Sequence, residues 1–257
     1  MAKFKHITFV GFGVIAASMA ADLGSQFTLR AVTSAKHHNE ILTNYLADEV
    51  YDYDQIDEWS KNTDLIVLCC PVKRNIELLK ELKKNKVTAT IIDISSTKEE
   101  ICKVGKDMPN FVGTHPMAGT EKHGYMNYEL GMFKDKVWYV TGADENVNNF
   151  IQWFFAKPVF ITAKEHDKEV AAISHLPQFI STALAGCKRV KAAKHSGNAL
   201  KDMTRIAHSD YNVWKDIAFT NSKNILAEID EFQKRLTNIS VAIKQKDDKK
   251  LAKLFKV

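Results

Sequence analysis

The chain has 257 residues, which is longer than the usual single domain of about 100 to 150 residues, so its length predicts two domains. A hydrophobic fraction of 45% and a charged fraction of 26% are typical of a folded globular protein and exclude a disordered one. The net charge of +5 comes from 36 basic and 31 acidic residues that form no aromatic-interleaved basic stripe, which argues against nucleic-acid binding.

The chain contains four cysteines: Cys69, Cys70, Cys102 and Cys187. They form no C-x-x-C pair, so we interpret them as small core residues of a protein in a reducing compartment. The N-terminal apolar stretch superficially resembles a secretory signal, but Gly11 and Gly13 interrupt it after a few residues. We therefore expect a cytoplasmic protein that does not associate with membranes.

Short β-rich segments alternate with helical patterns in the first part of the chain. Strands are predicted at residues 5–10, 27–33, 64–71, 88–95, 111–115, 136–142 and 157–162. Helices are predicted between them at residues 14–23, 38–48 and 75–85. This alternation is typical of βαβ units, and it predicts an α/β fold with a mostly parallel, doubly wound sheet of the Rossmann type.

The character of the sequence changes after the last of these strands, because only long helical patterns follow. We therefore predict a Rossmann-type domain over residues 1–162 and an all-helical domain over residues 163–257.

The string GFGVIA begins at Gly11, directly after the first predicted strand and at the start of the first helix. Gly11 permits a tight turn, Gly13 lets the backbone approach a pyrophosphate, and the helix N-terminus at Val14 and Ile15 supplies positive potential. These four residues, together with Pro71 at the end of the third predicted strand, are the predicted cofactor-binding positions. A glycine-rich turn can also be merely structural, but its N-terminal βαβ context favours a dinucleotide.

The segment AVTSAKHH follows the second predicted strand, where an NAD-specific fold usually carries an acidic residue. No carboxylate occurs between Asp22 and Glu40, while Thr33, Ser34 and Lys36 offer hydroxyl and cationic groups to a 2′-phosphate. The sequence therefore predicts NADP as the preferred cofactor, with NAD as the alternative, although these residues could also be ordinary turn residues.

Three later segments, DISSTK, GTHPMAGTEKHG and HDKEVAAISHLPQ, combine polar residues with glycine and apolar ones. In a doubly wound sheet, ligands bind beyond the carboxyl ends of the strands, which is where Ser95, Ser96 and His115 fall. Neither His115 nor His175 has metal-ligand spacing, so no metal site is predicted.

With these segments in family order, the chain resembles the prephenate/arogenate dehydrogenase family of tyrosine biosynthesis. The resemblance is carried by GFGVIAAS, CCP, DISSTK, THPMAGTEKHG, HDKEVAAISHLPQ and LKDMTRIAHSD, which together extend over most of the chain. It implies a homodimer whose subunits combine a dinucleotide-binding Rossmann domain, residues 1–162, with an all-helical substrate and dimerisation domain, residues 163–257. It also implies oxidation and decarboxylation of a cyclohexadienyl substrate. Prephenate is preferred over arogenate because Arg205 and the histidines fit a keto acid at least as well as an amino acid.

The resemblance also implies roles for four residues. His115 takes the proton of the substrate ring hydroxyl as hydride leaves the same carbon, and Ser96 adds a second hydrogen bond there. His175 lies at the junction of substrate and nicotinamide, and Arg205 binds a substrate carboxylate. These roles suit the residue types, because histidine titrates near neutrality and the arginine fork matches a carboxylate. Ser96 could instead cap a helix beginning near Lys98, and Arg205 could be a surface ion-pair residue.

The remaining histidines are expected to satisfy local hydrogen bonds only; they are His6, His37, His38, His123, His166, His195 and His208. Two other functions fit part of the pattern. A hydroxyacid or imine reductase would place a catalytic lysine on the first long helix after the boundary, where this chain has SHLPQ. A non-catalytic dinucleotide sensor would not need His115, Ser96, His175 and Arg205 together.

A regular apolar seam runs along the helix that follows VWKDIAFTNS. Its members recur at alternating four- and three-residue steps: Ile225, Ile229, Phe232, Leu236, Ile239 and Ile243. A domain of this size buries a limited share of its own apolar surface, so the seam predicts a homodimer formed through the helical domains. Packing within its own domain is the alternative.

Overall fold

The structure of the chain, a computed structural model, describes residues 4–120, 122–192 and 194–256. Within these residues the strands form one sheet of eight. The strands are β1 (His6–Val10), β2 (Thr28–Val32), β3 (Glu49–Tyr51), β4 (Leu65–Leu68), β5 (Thr90–Asp93), β6 (Phe111–Pro116), β7 (Val137–Val140) and β8 (Lys157–Phe160).

The strand order is β3-β2-β1-β4-β5-β6-β7-β8, which confirms the predicted doubly wound, Rossmann-type sheet. Strands β1 to β6 pair in parallel, β7 runs antiparallel to β6, and β8 is parallel to β7. The central strand β4 reads LIVL and is buried throughout, as expected for a parallel strand covered on both faces. The carboxyl ends of β1, β2, β4, β5 and β6 therefore share one edge of the sheet, called the carboxyl edge below.

The helices are α1 (Val14–Leu23), α2 (His38–Thr43), α3 (Ile56–Trp59), α4 (Val72–Lys84), α5 (Glu99–Gly105), α6 (Glu145–Trp153), α7 (Ala163–Val170), α8 (Leu176–Gly186), α9 (Lys188–Lys191), α10 (Asn198–Thr204), α11 (Tyr211–Thr220), α12 (Ser222–Gln245) and α13 (Asp248–Leu254). Single 3₁₀ turns occupy Gly24–Gln26, Ala35–His37, Tyr125–Asn127 and Arg205–His208, and a π-helical turn occupies Ala171–His175. None of the helices in the described part of the chain has both the length and the apolar character needed to cross a bilayer.

Two local predictions differ from the structure. The strand β3 was not predicted, because its three residues EVY are only half-buried and show neither an apolar run nor a clear alternation. The helix predicted over residues 38–48 ends at Thr43, and Tyr45 then adopts a left-handed backbone with φ of 54°, which a helix cannot continue through.

Contacts divide the chain into two compact units. The sheet unit comprises Met1–Asp167 and His208–Thr220, and the helical unit comprises Lys168–Ala207 and Asn221–Val257. The helix α11 joins the sheet unit because it packs on α4: Asp216 accepts a hydrogen bond from the Lys73 amide (3.3 Å), and the hydroxyls of Thr220 and Thr97 are 2.8 Å apart. The domain division at residue 162 stays a prediction, since contacts describe compactness and not independent folding.

The amphipathic helix α4 shows how the core positions the carboxyl edge. Its buried side chains, among them Ile76, Leu79 and Leu82, face the sheet, while its lysines face away. Burying each such side chain stabilises the fold by about 1.5 to 3 kcal/mol. This packing holds Pro71, the residue that precedes α4, beside the end of β4.

Candidate active site

The glycine turn between β1 and α1 has the geometry of a nucleotide-binding turn. Gly11 adopts φ of +94°, and a Cβ there would lie 2.6 Å from Cys70 Sγ and 2.8 Å from the Cys70 amide nitrogen. The Gly11 amide donates to the carbonyl of Val32 at 2.9 Å. Only glycine fits this position, because both the backbone conformation and the neighbouring strand exclude a side chain.

Gly13 precedes α1 and faces open space, since a Cβ built on it would meet no atom within 4 Å. No side chain caps α1, and no acidic residue lies in its first turn, which begins with the half-buried Val14 and Ile15. The helix therefore presents free N–H groups and positive potential toward an accessible region. These features fit the pyrophosphate of a dinucleotide.

The neighbouring strand ends hold the other predicted cofactor residues. Thr33 is buried after β2, whereas Ser34 and Lys36 are exposed on the turn that follows. The next carboxylate, that of Glu40, accepts a hydrogen bond from the Tyr125 hydroxyl. Pro71 is exposed at the end of β4.

The loop after β5 is fixed by a buried ion pair. Lys98 Nζ contacts Asp93 Oδ2, and both side chains are fully buried. Asp93 also accepts hydrogen bonds from the amides of Ser95 (2.9 Å) and Thr114 (3.2 Å), which ties β5 to β6. Ser96 is half-buried in this loop. The first amides of α5 are bound by Asp167 rather than by Ser96.

His115 lies near the carboxyl end of β6 and is 9% exposed. Its Nδ1 is 3.0 Å from Nε2 of His166, and Nδ1 of His166 is 2.8 Å from Oδ1 of Asp167. Asp167 in turn accepts the backbone amides of Lys98 at 2.7 Å and Glu99 at 2.9 Å. A continuous hydrogen-bonded chain thus links His115 to the N-terminus of α5.

Burial lowers the pKa of His166, because the charged imidazolium would lose its hydration; the hydrogen bond to Asp167 opposes this effect and the charge of Lys98 reinforces it. The lowered pKa keeps His166 neutral around pH 7. Both His166 and Asp167 are buried, so the hydrogen bonds that link His115 to α5 are shielded from solvent.

In the helical unit, His175 is buried at the end of the π-helical turn that joins α7 to α8. Its Nδ1 is 3.3 Å from the side-chain nitrogen Nδ2 of Asn221, and Oδ1 of Asn221 accepts a hydrogen bond from Nδ2 of Asn224 at 2.7 Å. Because an amide nitrogen only donates, Nδ1 of His175 is the acceptor. Neutral His175 therefore carries its proton on Nε2 and is a donor there.

Arg205 is exposed on the 3₁₀ turn after α10. The turn is held by Gln178 of α8, which donates to the carbonyl of Ile206 at 2.8 Å. Within the SHLPQ segment, His175 is bound by Asn221, and Gln178 holds the backbone next to Arg205.

The structure places Ser96 after β5 and His115 near the end of β6 in the sheet unit, and it places His175 and Arg205 in the helical unit. Sequence reasoning assigned His166 to local hydrogen bonds, which describes its bond to Asp167 but omits the one to His115. Asp167 and Asn221 were not singled out. The sequence offered one signal for Asp167, which directly follows His166 in the segment HDKEVAAISHLPQ.

Among residues 4–120, 122–192 and 194–256, no group of three or more histidine, cysteine, aspartate or glutamate side chains is arranged to hold a metal ion.

A Rossmann-type sheet, a glycine turn at an uncapped helix and a histidine on the same carboxyl edge define the chain as a dinucleotide-dependent oxidoreductase. Residues 33–154 match the family description "Prephenate dehydrogenase, nucleotide-binding domain", and residues 162–257 match "Prephenate dehydrogenase, dimerization domain".

Individual relatives agree with these matches. A prephenate dehydrogenase of Lactococcus lactis subsp. cremoris is 27% identical over 98% of this chain and 75% of its own length. A cyclohexadienyl dehydrogenase of Zymomonas mobilis subsp. mobilis is 28% identical over 100% of this chain and 94% of its own. The crystal structure of prephenate dehydrogenase from A. aeolicus, in complex with hydroxyphenyl propionate and NAD+, superposes with a TM-score of 0.88 at 25% identity, covering 98% and 95% of the two chains.

The chain belongs to the prephenate dehydrogenase family. It is an NAD(P)-dependent oxidoreductase of that family, with a nicotinamide dinucleotide as its cofactor.

Proposed function

We propose that the chain is a prephenate dehydrogenase, which converts prephenate to 4-hydroxyphenylpyruvate by oxidative decarboxylation. The observation that carries this proposal is the position of His115 on the same carboxyl edge as the glycine turn, within a member of the prephenate dehydrogenase family. Such an edge is where a doubly wound sheet binds its ligands.

His115 accepts the proton of the substrate ring hydroxyl, and Ser96 adds a hydrogen bond to the same oxygen. When the dinucleotide is bound, its nicotinamide would accept the hydride that leaves the carbon bearing this hydroxyl. As the ring carboxylate leaves as carbon dioxide, the electron pair of its bond stays in the ring, which becomes aromatic, and the proton returns from His115 to the phenol oxygen. Aromatisation drives this step, so the leaving carboxylate needs little activation.

His175 and Arg205 are the residues of the helical unit proposed to contact the substrate. The Nε2–H of His175 suits donation to the substrate, and the exposed guanidinium of Arg205 suits a bidentate contact with a carboxylate. Prephenate carries two carboxylates, and the planar guanidinium of Arg205 matches the geometry of one of them. The homodimer and the cytoplasmic location expected from the sequence are parts of the same proposal.

We propose NADP as the preferred cofactor. The exposed Ser34 and Lys36 follow β2, and the nearby Glu40 carboxylate is engaged by Tyr125. A Lys36→Ala variant is expected to raise the KM for NADP and to leave the KM for NAD nearly unchanged, because only NADP carries a 2′-phosphate. Lys106→Ala, which removes an exposed lysine from a different loop of the sheet unit, is the matched control. Equal effects of Lys36→Ala on both cofactors would contradict the assignment.

The direct test of the function is a set of initial rates with prephenate and arogenate, each with NADP and NAD. Prephenate with NADP is expected to give the highest kcat/KM. A higher value with arogenate would replace prephenate by arogenate as the substrate. Turnover of neither compound would contradict the proposed function, and activity with hydroxyacids or imines would reassign it to the reductase class.

A further inference from the structure

We propose that His166 and Asp167 are positioning residues that fix the protonation pattern of His115, so that its Nε2 carries the lone pair that accepts the substrate proton. This inference rests on the proposed role of His115 as the base. It adds two residues to the site, neither of which needs to touch substrate or cofactor.

The direction of each hydrogen bond follows from Asp167. Its two oxygens accept backbone amides that can only donate, those of Lys98 at 2.7 Å and Glu99 at 2.9 Å. The ring nitrogen facing the same carboxylate, Nδ1 of His166 at 2.8 Å, is therefore a donor. The positive end of the α5 dipole adds to the stabilisation of the carboxylate.

The second link follows from the first. Neutral His166 has its proton on Nδ1, so its Nε2 is an acceptor. Nδ1 of His115 lies 3.0 Å from that atom and must donate to it. Neutral His115 therefore has its proton on Nδ1 and its lone pair on Nε2, which is the less common tautomer of free histidine. The same logic orients the histidine of a Ser-His-Asp triad.

The surrounding charges favour proton uptake by His115. Three charged groups interact electrostatically with His166: Asp93 of β5, Lys98 at the start of α5 and Asp167 of α7. The ring of Tyr139, from β7, contacts both histidines. With both histidines neutral, the two carboxylates outweigh the single lysine by one negative charge. Protonation of His115 cancels that excess in a buried region, where charge interactions are strong.

The protonation pattern is tested first, without substrate, by two-dimensional long-range ¹⁵N–¹H NMR. The ring cross-peaks in these spectra distinguish the two neutral tautomers of each histidine. In the unmodified protein at neutral pH, both His115 and His166 are expected to carry the proton on Nδ1. In His166→Phe the acceptor is lost, and His115 is expected to revert to the Nε2–H form. In His166→Gln the side-chain oxygen can still accept from His115, so the Nδ1–H form is expected to persist.

The kinetic test uses the same variants. His166→Phe is expected to lower kcat by about 10- to 100-fold, the usual scale for removing a group that orients a functional histidine, with little change in KM. His166→Gln is expected to recover a large part of that loss. Asp167→Asn keeps an acceptor but removes the negative charge, which makes protonation of His115 less favourable. The acid limb of the plot of kcat/KM against pH is therefore expected to move to lower pH.

Asp64→Asn is the matched control for stability. Asp64 also accepts two backbone amides from a distant segment, those of Lys5 at 2.8 Å and His6 at 2.9 Å, and also lies beside a histidine, but it has no link to His115. Its variant is expected to change the melting temperature without moving the acid limb.

The possible failures are separable. A proton on Nε2 of His115 in the unmodified protein, equal losses in His166→Phe and His166→Gln, or an unmoved acid limb in Asp167→Asn would each overturn the positioning role. An unmodified protein that shows the expected tautomers but oxidises neither prephenate nor arogenate would instead overturn the proposed function.

Discussion

At the scale of single residues, the two histidines proposed for the site have opposite hydrogen-bonding roles at Nδ1. The ring of His115 donates through Nδ1, whereas the ring of His175 accepts through Nδ1 from Asn221. Their remaining nitrogens are therefore an acceptor and a donor. In the proposed reaction, His115 accepts a proton from the substrate and His175 donates a hydrogen bond to it. Neither histidine could take the other's role unless the hydrogen-bond partner of its own Nδ1 changed.

Replacement of the base gives the first prediction at this scale. His115→Asn is expected to lower kcat by roughly 10² to 10⁴, the scale of a positioned proton acceptor, with a smaller effect on KM. The measurement is steady-state kinetics with prephenate. His123→Asn, an exposed histidine eight residues further along the chain, is the control and is expected to retain kcat. A near-normal kcat in His115→Asn would remove His115 from the mechanism.

The proposed carboxylate contact gives the second. Arg205→Ala is expected to raise the KM for prephenate, with a loss of about 1.5 to 3 kcal/mol of binding free energy, as for other charged hydrogen bonds. Arg189→Ala removes an exposed arginine from the same helical unit and is expected to leave KM unchanged. If both variants bind substrate equally well, Arg205 is an ordinary surface residue.

At the scale of elements, the start of α5 connects the strands that carry the site. The buried Lys98 neutralises Asp93 at the end of β5, and the Lys98 amide binds Asp167 of α7. Asp93 also binds the amide of Thr114, the residue before His115. One short helix thus holds the loop of Ser96, the end of β6 and the histidine chain in a common arrangement.

Breaking this buried pair gives the prediction at the scale of elements. Lys98→Met leaves Asp93 buried without its cation and is expected to lower the free energy of unfolding by about 3 to 5 kcal/mol, measured by urea denaturation. Adding Asp93→Asn is expected to restore part of that loss, because the uncompensated charge disappears.

The control for that prediction is Lys157→Met, which breaks the exposed pair with Asp135 and is expected to cost less than 1 kcal/mol. A similar cost for the buried and the exposed pair would show that Lys98 contributes only packing.

At the scale of the whole molecule, the apolar seam of α12 is incompletely covered within one chain. Ile225 is 4% exposed, but Leu236 and Ile243 are 54% and 60% exposed, and the neighbouring Leu226 is 64% exposed. Exposed apolar surface of this extent on one long helix favours burial against another copy. The segment matches a family description that includes dimerisation.

The corresponding prediction is a homodimer in solution. Size-exclusion chromatography with light scattering at micromolar concentration is expected to give twice the mass of 29.1 kDa. Phe232→Asp, on the seam, is expected to shift the mass toward the monomer, while Lys234→Asp on the opposite side of α12 retains the dimer. A folded, active monomer for the unmodified chain would contradict the proposal, and a dimeric Phe232→Asp would move the interface elsewhere.

The sequence by itself determined the features that depend on local pattern. Apolar runs such as LIVL specify buried parallel strands, and the spacing of Gly11 and Gly13 between a strand and a helix specifies the nucleotide turn. The positions of Ser96 after one predicted strand and of His115 at the end of the next already predicted that both lie at the carboxyl edge. These inferences succeed because periodicity and backbone requirements act over a few residues.

Only the tertiary structure decided which distant segments meet. His166 is 51 residues from His115, and Asp167 is 69 residues from the amide of Lys98 that it binds. The antiparallel entry of β7 and the packing of α11 on α4 likewise depend on segments far apart in the chain. No local period encodes such pairings, because a side chain's partner is set by how whole elements pack, and a hydrogen bond forms only once that packing has brought donor and acceptor together.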